Sequence, residues 1–272
     1  MYLVFRVLWS LVGLLACFAC IAPVNAAGVV EVSAVFPRNN ETYAPTDKFP
    51  IVFALKNVAM AKHLELSIDS FIWNGSFSDA FGHGMFDLTK ANGSSEPYFP
   101  FTYKNIVKEG SYRLFATAIW QNCNMTGDEV SIRGKTSNFF VDFNIKKGAQ
   151  EVDLVAATAK NDKTCYGPHG VALNVTDQTH EVPESPEPGF PRPLSGTCAV
   201  LASSPTTTTN PCSITIDSVA TASMSAVMHD LMCNLSLSTL PDCPEENAVQ
   251  RLAVAGVACF AAALGAIGFL LA

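Results

Sequence analysis

Residues 30–36 read VEVSAVF, and this stretch decides the fold class of the chain. Its apolar residues alternate with Glu31 and Ser33. Successive side chains of a β-strand point to opposite faces, so a two-residue period predicts a strand with one buried face. The same period recurs in three further stretches: 49–55, 64–68 and 139–145.

Further stretches extend this pattern along the chain. Residues 112–120 are apolar on both faces, as expected of a central strand, and Val152 with Leu154, then 171–175, predict later strands. Turn residues separate several of these strands: Asn74-Gly75, Asn92-Gly93 and Glu109-Gly110. Seven or more short strands in about 150 residues, without a βαβ rhythm, predict an antiparallel immunoglobulin-like β-sandwich over residues 27–180.

Residues 71–103 interrupt the regular alternation and are rich in aromatic side chains. We interpret this segment as a long excursion between sheets, with its aromatics anchoring the core and the loops. Stacking of these rings on sugars is the alternative interpretation. The aromatic residues are Phe71, Trp73, Phe77, Phe81, Phe86, Tyr98, Phe99, Phe101 and Tyr103.

The N-terminus carries a sorting signal. Arg6 precedes an apolar run over residues 7–24, and the step Val24-Asn25-Ala26 ends on a small residue. A charged start, an apolar centre and a small-residue end predict a signal peptide over residues 1–26, cleaved after Ala26. An N-terminal membrane anchor is the alternative.

The C-terminus carries a second apolar segment. Residues 252–272 contain no charge and are long enough to span a bilayer as a helix, yet no Lys or Arg follows them. Behind a signal peptide, such a tail predicts a GPI-attachment signal over residues 247–272. The predicted attachment residue is Asn247, with Ser236 as the alternative, and a true transmembrane span is the competing interpretation.

The cysteines indicate an oxidising compartment. The chain has nine Cys, and removing Cys17, Cys20 and Cys259 with the two terminal segments leaves 9 − 3 = 6. An even number in a secreted chain predicts a disulfide framework, for which 15 pairings exist. Attachment at Ser236 would discard one of these cysteines, which favours Asn247. The six are Cys123, Cys165, Cys198, Cys212, Cys233 and Cys243.

N-glycosylation motifs agree with secretion. Asn-x-Ser/Thr occurs six times, always without Pro in the middle position, and a glycosylated Asn must lie at the surface. The candidate residues are Asn40, Asn74, Asn92, Asn124, Asn174 and Asn234.

The last third of the mature chain has a different composition. Residues 181–211 are rich in Pro and Thr, which predicts an extended connector, although Cys198, Val200 and Leu201 indicate a short strand within it. Residues 212–246 predict a disulfide-held helical segment in which Asp217 caps a helix over 218–234.

The sequence contains no strong catalytic motif. It lacks a G-x-S-x-G elbow, an H-E-x-x-H motif and a P-loop, so no cofactor or metal is expected. His83 and His169 are interpreted as solvated turn histidines, and His229 has no second ligand one helical turn away. Carboxylates that could form a pair for sugar hydrolysis are Asp69, Asp79, Asp87, Asp128 and Glu129.

Several motifs resemble a domain of unknown function found in extracellular proteins of filamentous fungi. The resemblance covers about residues 29–244, and it implies a secreted or surface protein with no established activity. The motifs are Val35-Phe36-Pro37, Tyr43-Ala44-Pro45, residues 50–57 (PIVFALKN), Pro97-Tyr98-Phe99, residues 120–123 (WQNC), residues 198–201 (CAVL) and Pro211-Cys212.

The sequence as a whole predicts a glycosylated, GPI-anchored protein of the cell surface or cell wall with a non-catalytic β head. The head is expected to bind wall glycan or another surface protein, or to have a structural role. The formal charge of −7 argues against a nucleic-acid partner, because phosphate binding needs clustered Lys and Arg. The alternatives are a secreted carbohydrate-active enzyme and a single-pass membrane adhesion protein.

Overall fold

The computed structural model describes residues 28–75, 79–91, 96–126, 129–159, 169–182, 196–202 and 209–234. The predicted signal peptide, Asn92, Asp128, Cys165 and Cys243 lie outside these ranges, as do both candidate attachment residues and the apolar tail. The described strands are β1 (Gly28–Phe36), β2 (Thr42–Tyr43), β3 (Thr46–Lys56), β4 (Ser67–Asn74), β5 (Phe81–Asp87), β6 (Phe101–Ile106), β7 (Gly110–Thr126), β8 (Glu129–Ile145), β9 (Gly170–Val182) and β10 (Gly196–Leu201).

The strands form one mixed sheet in the order β2-β8-β7-β10-β9-β1-β3-β6. Strands β4 and β5 are not part of this order: β4 pairs with β7, and β5 pairs with β4. The predicted mainly β fold is confirmed. The predicted all-antiparallel arrangement is corrected at two places, because β2 pairs with β8 and β10 pairs with β7 in parallel. Both parallel contacts join strands far apart in sequence, and each involves only one or two residue pairs.

Strand β7 organises the sheet. It pairs with β8 along its whole length, with β4 through residues 112–119, and with β10 at Cys123 opposite Val200. Leu114, Ala116 and Ala118 are buried on one face of this strand. The residues between them are half-buried on the other face, which we call the outer face of β4, β7 and β8.

Aromatic rings fill the core behind this face. Phe49 of β3 stacks on Phe143 of β8 with centroids 5.1 Å apart. Phe53 meets Phe139 at 6.3 Å and Phe86 at 5.5 Å, both edge to face. Burying one such ring stabilises the fold by about 1.5–3 kcal/mol, so these contacts fix how β3 packs against β8 and β5.

A disulfide joins two neighbouring strands. Cys123 of β7 and Cys198 of β10 are bonded, with Cα atoms 5.8 Å apart, and both are buried against Val182 and Val200. This bond confirms that two of the six predicted cysteines pair. Cys233 is also disulfide-bonded, whereas the side chain of Cys212 lies outside the described part of the chain.

Two sequence predictions are corrected by the strands and helices. Leu154 does not continue a strand but begins helix α1 (Leu154–Ala159), because the Asp153 side chain accepts the backbone N–H of Ala156 at 3.0 Å and caps the first turn. Residues 71–103 are not a long excursion, since they contain the end of β4, all of β5 and the start of β6. Short 3₁₀ helices at Val58–Leu64, Leu88–Lys90 and Pro211–Ser213 complete the description.

The C-terminal part of the described chain forms helix α2 (Ser218–Asn234). Asp217 accepts the backbone N–H of Ala220 at 2.7 Å, as the predicted cap requires.

Strand β10 confirms the short strand expected around Cys198. Contacts divide the chain into two compact units, Met1–Thr221 and Ala222–Ala272. Among the described residues, no helix has the length and hydropathy to cross a membrane.

Candidate functional site

The outer face of β4, β7 and β8 carries aromatic residues in register across three strands. Phe71 of β4 lies directly opposite Phe115 of β7, which in turn lies opposite Phe140 of β8. Directly opposite residues have Cβ atoms about 4.5–5.5 Å apart, so these three side chains form a row perpendicular to the strands. We call Phe71, Phe115 and Phe140 the aromatic row.

The rings at one end of this row form a tight group. The centroids of Phe71 and Phe115 are 5.1 Å apart, and Trp73 lies 5.5 Å from Phe71 and 5.8 Å from Phe115. The ring planes are inclined to one another by 31–36°, so the three rings pack against one another in an arrangement nearer to parallel than to perpendicular. The three side chains are half-buried, and Phe140 at the other end of the row is 46% exposed.

A charged pair borders the aromatic row on one side. Arg113 donates from Nε to Asp142 Oδ1 at 2.5 Å and from Nη2 to Oδ2 at 2.7 Å. The hydrogen bond to Asp142 raises the pKa of Arg113, and the guanidinium carbon lies 4.5 Å from the Phe140 ring centroid. The bidentate bond and the cation–π contact hold the guanidinium over the Phe140 ring and compensate its charge.

Polar residues border the row on the other side. Thr117 donates from Oγ1 to Asn138 Oδ1 at 3.0 Å, and these two residues face each other across β7 and β8. Asp69 lies opposite Thr117 on β4 and completes this second polar row. The outer face therefore holds three rows of three residues: Trp73, Arg113 and Asp142; Phe71, Phe115 and Phe140; Asp69, Thr117 and Asn138.

Asp69 is bonded to a histidine that the sequence interpretation placed in a turn. His83 lies on β5 and its Nε2 is 2.7 Å from Asp69 Oδ1, with the side chain 65% exposed. The predicted turn is therefore corrected, because His83 lies on a strand and the β4–β5 hairpin brings its ring to a carboxylate, whereas the predicted exposure of the side chain agrees with the structure. Lys104 also donates from Nζ to the His83 carbonyl at 3.0 Å.

Two shallow hollows adjoin the ends of the aromatic group. One, of about 440 Å³, is lined by Trp73, Arg113 and Asp142 together with Asn40. The other, of about 290 Å³, is lined by Phe71, Phe81 and His83. Both combine aromatic surface with hydrogen-bonding side chains.

The remaining candidate carboxylates do not assemble with Asp69. Asp87 caps a short helix by accepting the backbone N–H of Thr89 at 3.1 Å and its hydroxyl at 2.5 Å. Asp79 lines a separate hollow beside Tyr112. The side chain of Glu129 lies outside the described part of the chain. In the ranges that the structure describes, no group of three or more His, Cys, Asp or Glu residues could hold a metal ion.

The comparison with protein families gives one match. The model of a domain of unknown function, DUF7136, matches residues 25–243. The chain belongs to this family. No curated protein and no solved structure match the chain.

The DUF7136 match spans all ten described strands and both bonded cysteines of the β7–β10 link. It confirms the resemblance to a domain of unknown function, while its description names no activity.

The other two candidate histidines have structural contacts. His169 is buried rather than solvated, which corrects the turn interpretation, because its Nδ1 lies 2.8 Å from the carbonyl oxygen of Phe140. It thereby fixes the backbone at the exposed end of the aromatic row. His229 lies on α2, with Cys233 Sγ 3.8 Å from its Nδ1, and Cys233 is disulfide-bonded.

The glycosylation candidates lie at different depths. Asn40 and Asn124 are exposed, and Asn74 and Asn174 are half-buried. Asn74 hydrogen-bonds Tyr112, whose phenol pKa is raised by burial and lowered in part by this bond. Asn92 and the side chain of Asn234 lie outside the described residues, and glycosylation at all six sequons stays a prediction.

Sequence reasoning missed most of the outer face. Arg113, Phe115 and Thr117 alternate with buried residues on β7, and Asn138, Phe140 and Asp142 do so on β8. This pattern of large or polar residues at every second position was the available signal. The register that aligns the two strands comes from pairing across a β-hairpin, and periodicity alone does not specify it.

Proposed function

We propose that this protein is a glycosylated, lipid-anchored surface protein whose β head, an immunoglobulin-like sandwich, binds carbohydrate without catalysing a reaction. The observation that carries the proposal is the outer face of β4, β7 and β8. There an aromatic row lies between two polar rows on a regular sheet.

The chemistry of a sugar fits such a surface. One face of a pyranose ring presents polarised C–H bonds, which are attracted to the negative face of an aromatic ring. Its hydroxyls extend sideways and need donors and acceptors. The centroids of Phe71, Trp73 and Phe115 lie 5.1–5.8 Å apart, so together they offer a patch about as large as one sugar ring.

The carboxylates of this face support binding rather than hydrolysis. Asp69 and Asp142 lie in the two outer rows, four residues apart in register, which is about 13 Å along the strands. Glycoside hydrolases place their two carboxyl groups about 5–10 Å apart. Asp69 is also bonded to His83, and Asp142 to Arg113. A secreted carbohydrate-active enzyme therefore stays the second candidate.

The predicted cellular location supports a glycan ligand. Disulfides persist in oxidising compartments, and this chain contains the buried Cys123–Cys198 bond. The two apolar termini and the six sequons agree with passage through the secretory pathway and with lipid anchoring. A protein held at the outer cell surface meets wall polysaccharide directly.

A glycan array tests the binding proposal. The full chain, expressed with its own termini, is compared with Trp73→Ala and with Val107→Ala, a control at an exposed residue away from the outer face. We expect wild type and the control to bind the same glycans and Trp73→Ala to lose at least tenfold in affinity. Absence of binding to every glycan, or equal binding by Trp73→Ala, would refute the proposal.

Phosphatidylinositol-specific phospholipase tests the anchor. We expect the enzyme to release the protein from intact cells in a form that ends near Asn247. Protein that stays in the membrane with residues 252–272 attached would instead identify a transmembrane span.

A further inference from the structure

We infer that an N-linked glycan on Asn40 folds back over the outer face, follows the row Asp142, Arg113 and Trp73 across the strands, and covers the Trp73 side chain. The occupant of this end of the outer face is then a glycan of the chain itself. The modification and its contact with Trp73 need no external ligand. Only the competition of this glycan with such a ligand rests on the proposed carbohydrate-binding function.

Asn40 is the acceptor residue of a sequon whose position in the fold is fixed. It begins the sequence Asn40-Glu41-Thr42 between β1 and β2, and it is exposed. Its backbone N–H donates to the carbonyl oxygen of Asp142 at 2.6 Å, and the Asn39 side chain accepts the backbone N–H of Asp142 at 3.1 Å. These bonds hold the turn against the edge of β8, so a sugar on Asn40 begins beside the outer face.

The distance from Asn40 to Trp73 matches the innermost part of an N-glycan. Asn40 is bonded to Asp142 of β8. Asp142 lies opposite Arg113 of β7, which lies opposite Trp73 of β4. Three strand spacings of about 4.8 Å therefore separate the backbones of Asn40 and Trp73 by about 14 Å. The asparagine side chain and the two N-acetylglucosamine units at the start of an N-glycan together reach a similar distance.

The surface along this row has room and hydrogen-bonding groups for sugar units. One hollow of about 440 Å³ is lined by both Asn40 and Trp73, and it also includes Ser111, Arg113 and Asn144. This volume is larger than one sugar ring. Ser111 Oγ donates to Asn144 Oδ1 at 2.7 Å, and hydroxyl and amide groups of this kind exchange hydrogen bonds with sugar hydroxyls and N-acetyl groups. Trp73 adds aromatic surface for the C–H face of a sugar.

A tethered sugar needs only weak attraction to occupy this surface. Asn40 Nδ2 forms a bond to the anomeric carbon of a lipid-linked oligosaccharide, the lipid pyrophosphate leaves that carbon, and the amide loses one proton. The attached glycan then meets the outer face at an effective concentration of about 1 mM, the order expected for a short flexible link. Contacts too weak to bind a free monosaccharide therefore hold the glycan on Trp73 for part of the time.

Competition between the Asn40 glycan and an external ligand is tested by affinity. A tethered glycan and a free oligosaccharide cannot contact the same surface of Trp73 together. Thr42→Ala, which removes the Asn40 sequon, should therefore bind an oligosaccharide identified by the glycan array at least threefold more tightly than its parent. Equal affinity would overturn the competition. If the array yields no ligand, the proposed function fails, whereas the quenching of Trp73 still decides whether the glycan covers it.

Iodide quenching of Trp73 tests the contact itself. The full chain with Trp120→Phe is purified from a eukaryotic host that glycosylates it, alone and with Thr42→Ala or Thr126→Ala. The second variant removes a sequon on β7 and is the matched control. We expect peptide mass mapping to find a glycan on Asn40, and Thr42→Ala to raise the Trp73 quenching constant at least twofold, with no change in the control.

Enzymatic removal of glycans from the folded parent repeats this comparison without a substitution. We expect the same rise in the Trp73 quenching constant as in Thr42→Ala. An unmodified Asn40 in the parent, or a quenching constant that stays the same after the glycan is removed by either route, would overturn the inference.

Discussion

At the scale of single residues, Gly170 shows how tightly β9 packs beside β1. It lies opposite Ser33 in the antiparallel pair. A Cβ at this position would lie 2.2 Å from the Val32 carbonyl oxygen and 2.7 Å from Ser33 Cα. The neighbouring atoms are backbone atoms that cannot rotate away, so the position requires glycine for space rather than for an unusual backbone angle.

Gly170→Ala is expected to destabilise the fold by about 1–3 kcal/mol, the usual cost of overpacking a closed site. The measurement is the midpoint of urea unfolding. Gly84→Ala is the matched control, because a Cβ there meets Ser70 Oγ at an ordinary 3.4 Å, and we expect a change within about 0.5 kcal/mol. Equal midpoints for Gly170→Ala and wild type would contradict the close approach of β1 and β9.

The residue scale also shows which contacts the sequence could reveal. Alternation identified β1, β3 and β8 because a strand's period is a local property of neighbouring residues. The bond between Arg113 and Asp142 joins residues 29 positions apart. Which residue lies beside Arg113 depends on the register of the paired strands, and a single sequence does not specify that register. These three strands were therefore predictable, whereas β5, the start of β6 and the outer face were not.

At the scale of elements, capping explains one correct and one wrong prediction. Asp217 before α2 was recognised as a cap because a run of helix-compatible residues follows it. Asp153 before α1 was overlooked because that helix has only six residues and its Val and Leu fit a strand equally well. In both cases the aspartate accepts a backbone N–H three residues on.

Removing the cap of α2 tests its local stability. Asp217→Ala leaves the N–H of Ala220 without its acceptor and should cost about 1 kcal/mol of helix stability. Asp217→Asn keeps an acceptor oxygen and should stay near wild type. Amide hydrogen exchange over residues 218–234 measures the difference, and equal protection in the two variants would show that the cap does not stabilise the helix.

The disulfide between β7 and β10 stabilises a second part of the fold. It closes a sequence separation of 75 residues, for which chain entropy predicts about 4 kcal/mol of stabilisation. The double variant Cys123→Ala/Cys198→Ala should therefore unfold at a much lower urea concentration than wild type. As a control, the double variant is also unfolded in the presence of a reductant. Because this variant lacks the bond, the reductant cannot lower its urea midpoint by breaking it.

At the scale of the whole molecule, a half-buried histidine couples stability to pH. His63 Nδ1 lies 2.6 Å from Thr197 Oγ1 and so joins the 3₁₀ helix Val58–Leu64 to β10. Burial lowers the pKa of His63 from 6.5, and the backbone hydrogen bond to Thr197 partly opposes this. The unfolded chain therefore binds the proton more readily, and the fold loses stability as the pH falls through about 6.5.

His63→Gln should remove this dependence while keeping a side chain that can hydrogen-bond Thr197. Between about pH 8 and pH 5, we expect the unfolding free energy of wild type to fall more steeply than that of the variant. Urea unfolding at several pH values measures both slopes. Parallel slopes would mean that His63 takes up its proton equally in the folded and unfolded states.

Carbohydrate binding at the outer face is the central claim for the whole molecule, and the fluorescence of Trp73 reports on it directly. Outside the predicted signal peptide, the chain has only Trp73 on the outer face and the buried Trp120. In a Trp120→Phe background, an oligosaccharide that the glycan array identifies as a ligand should change the Trp73 emission saturably and shield it from iodide quenching. Calorimetric binding of the same oligosaccharide with no change in Trp73 emission or quenching would place the ligand elsewhere and contradict the account.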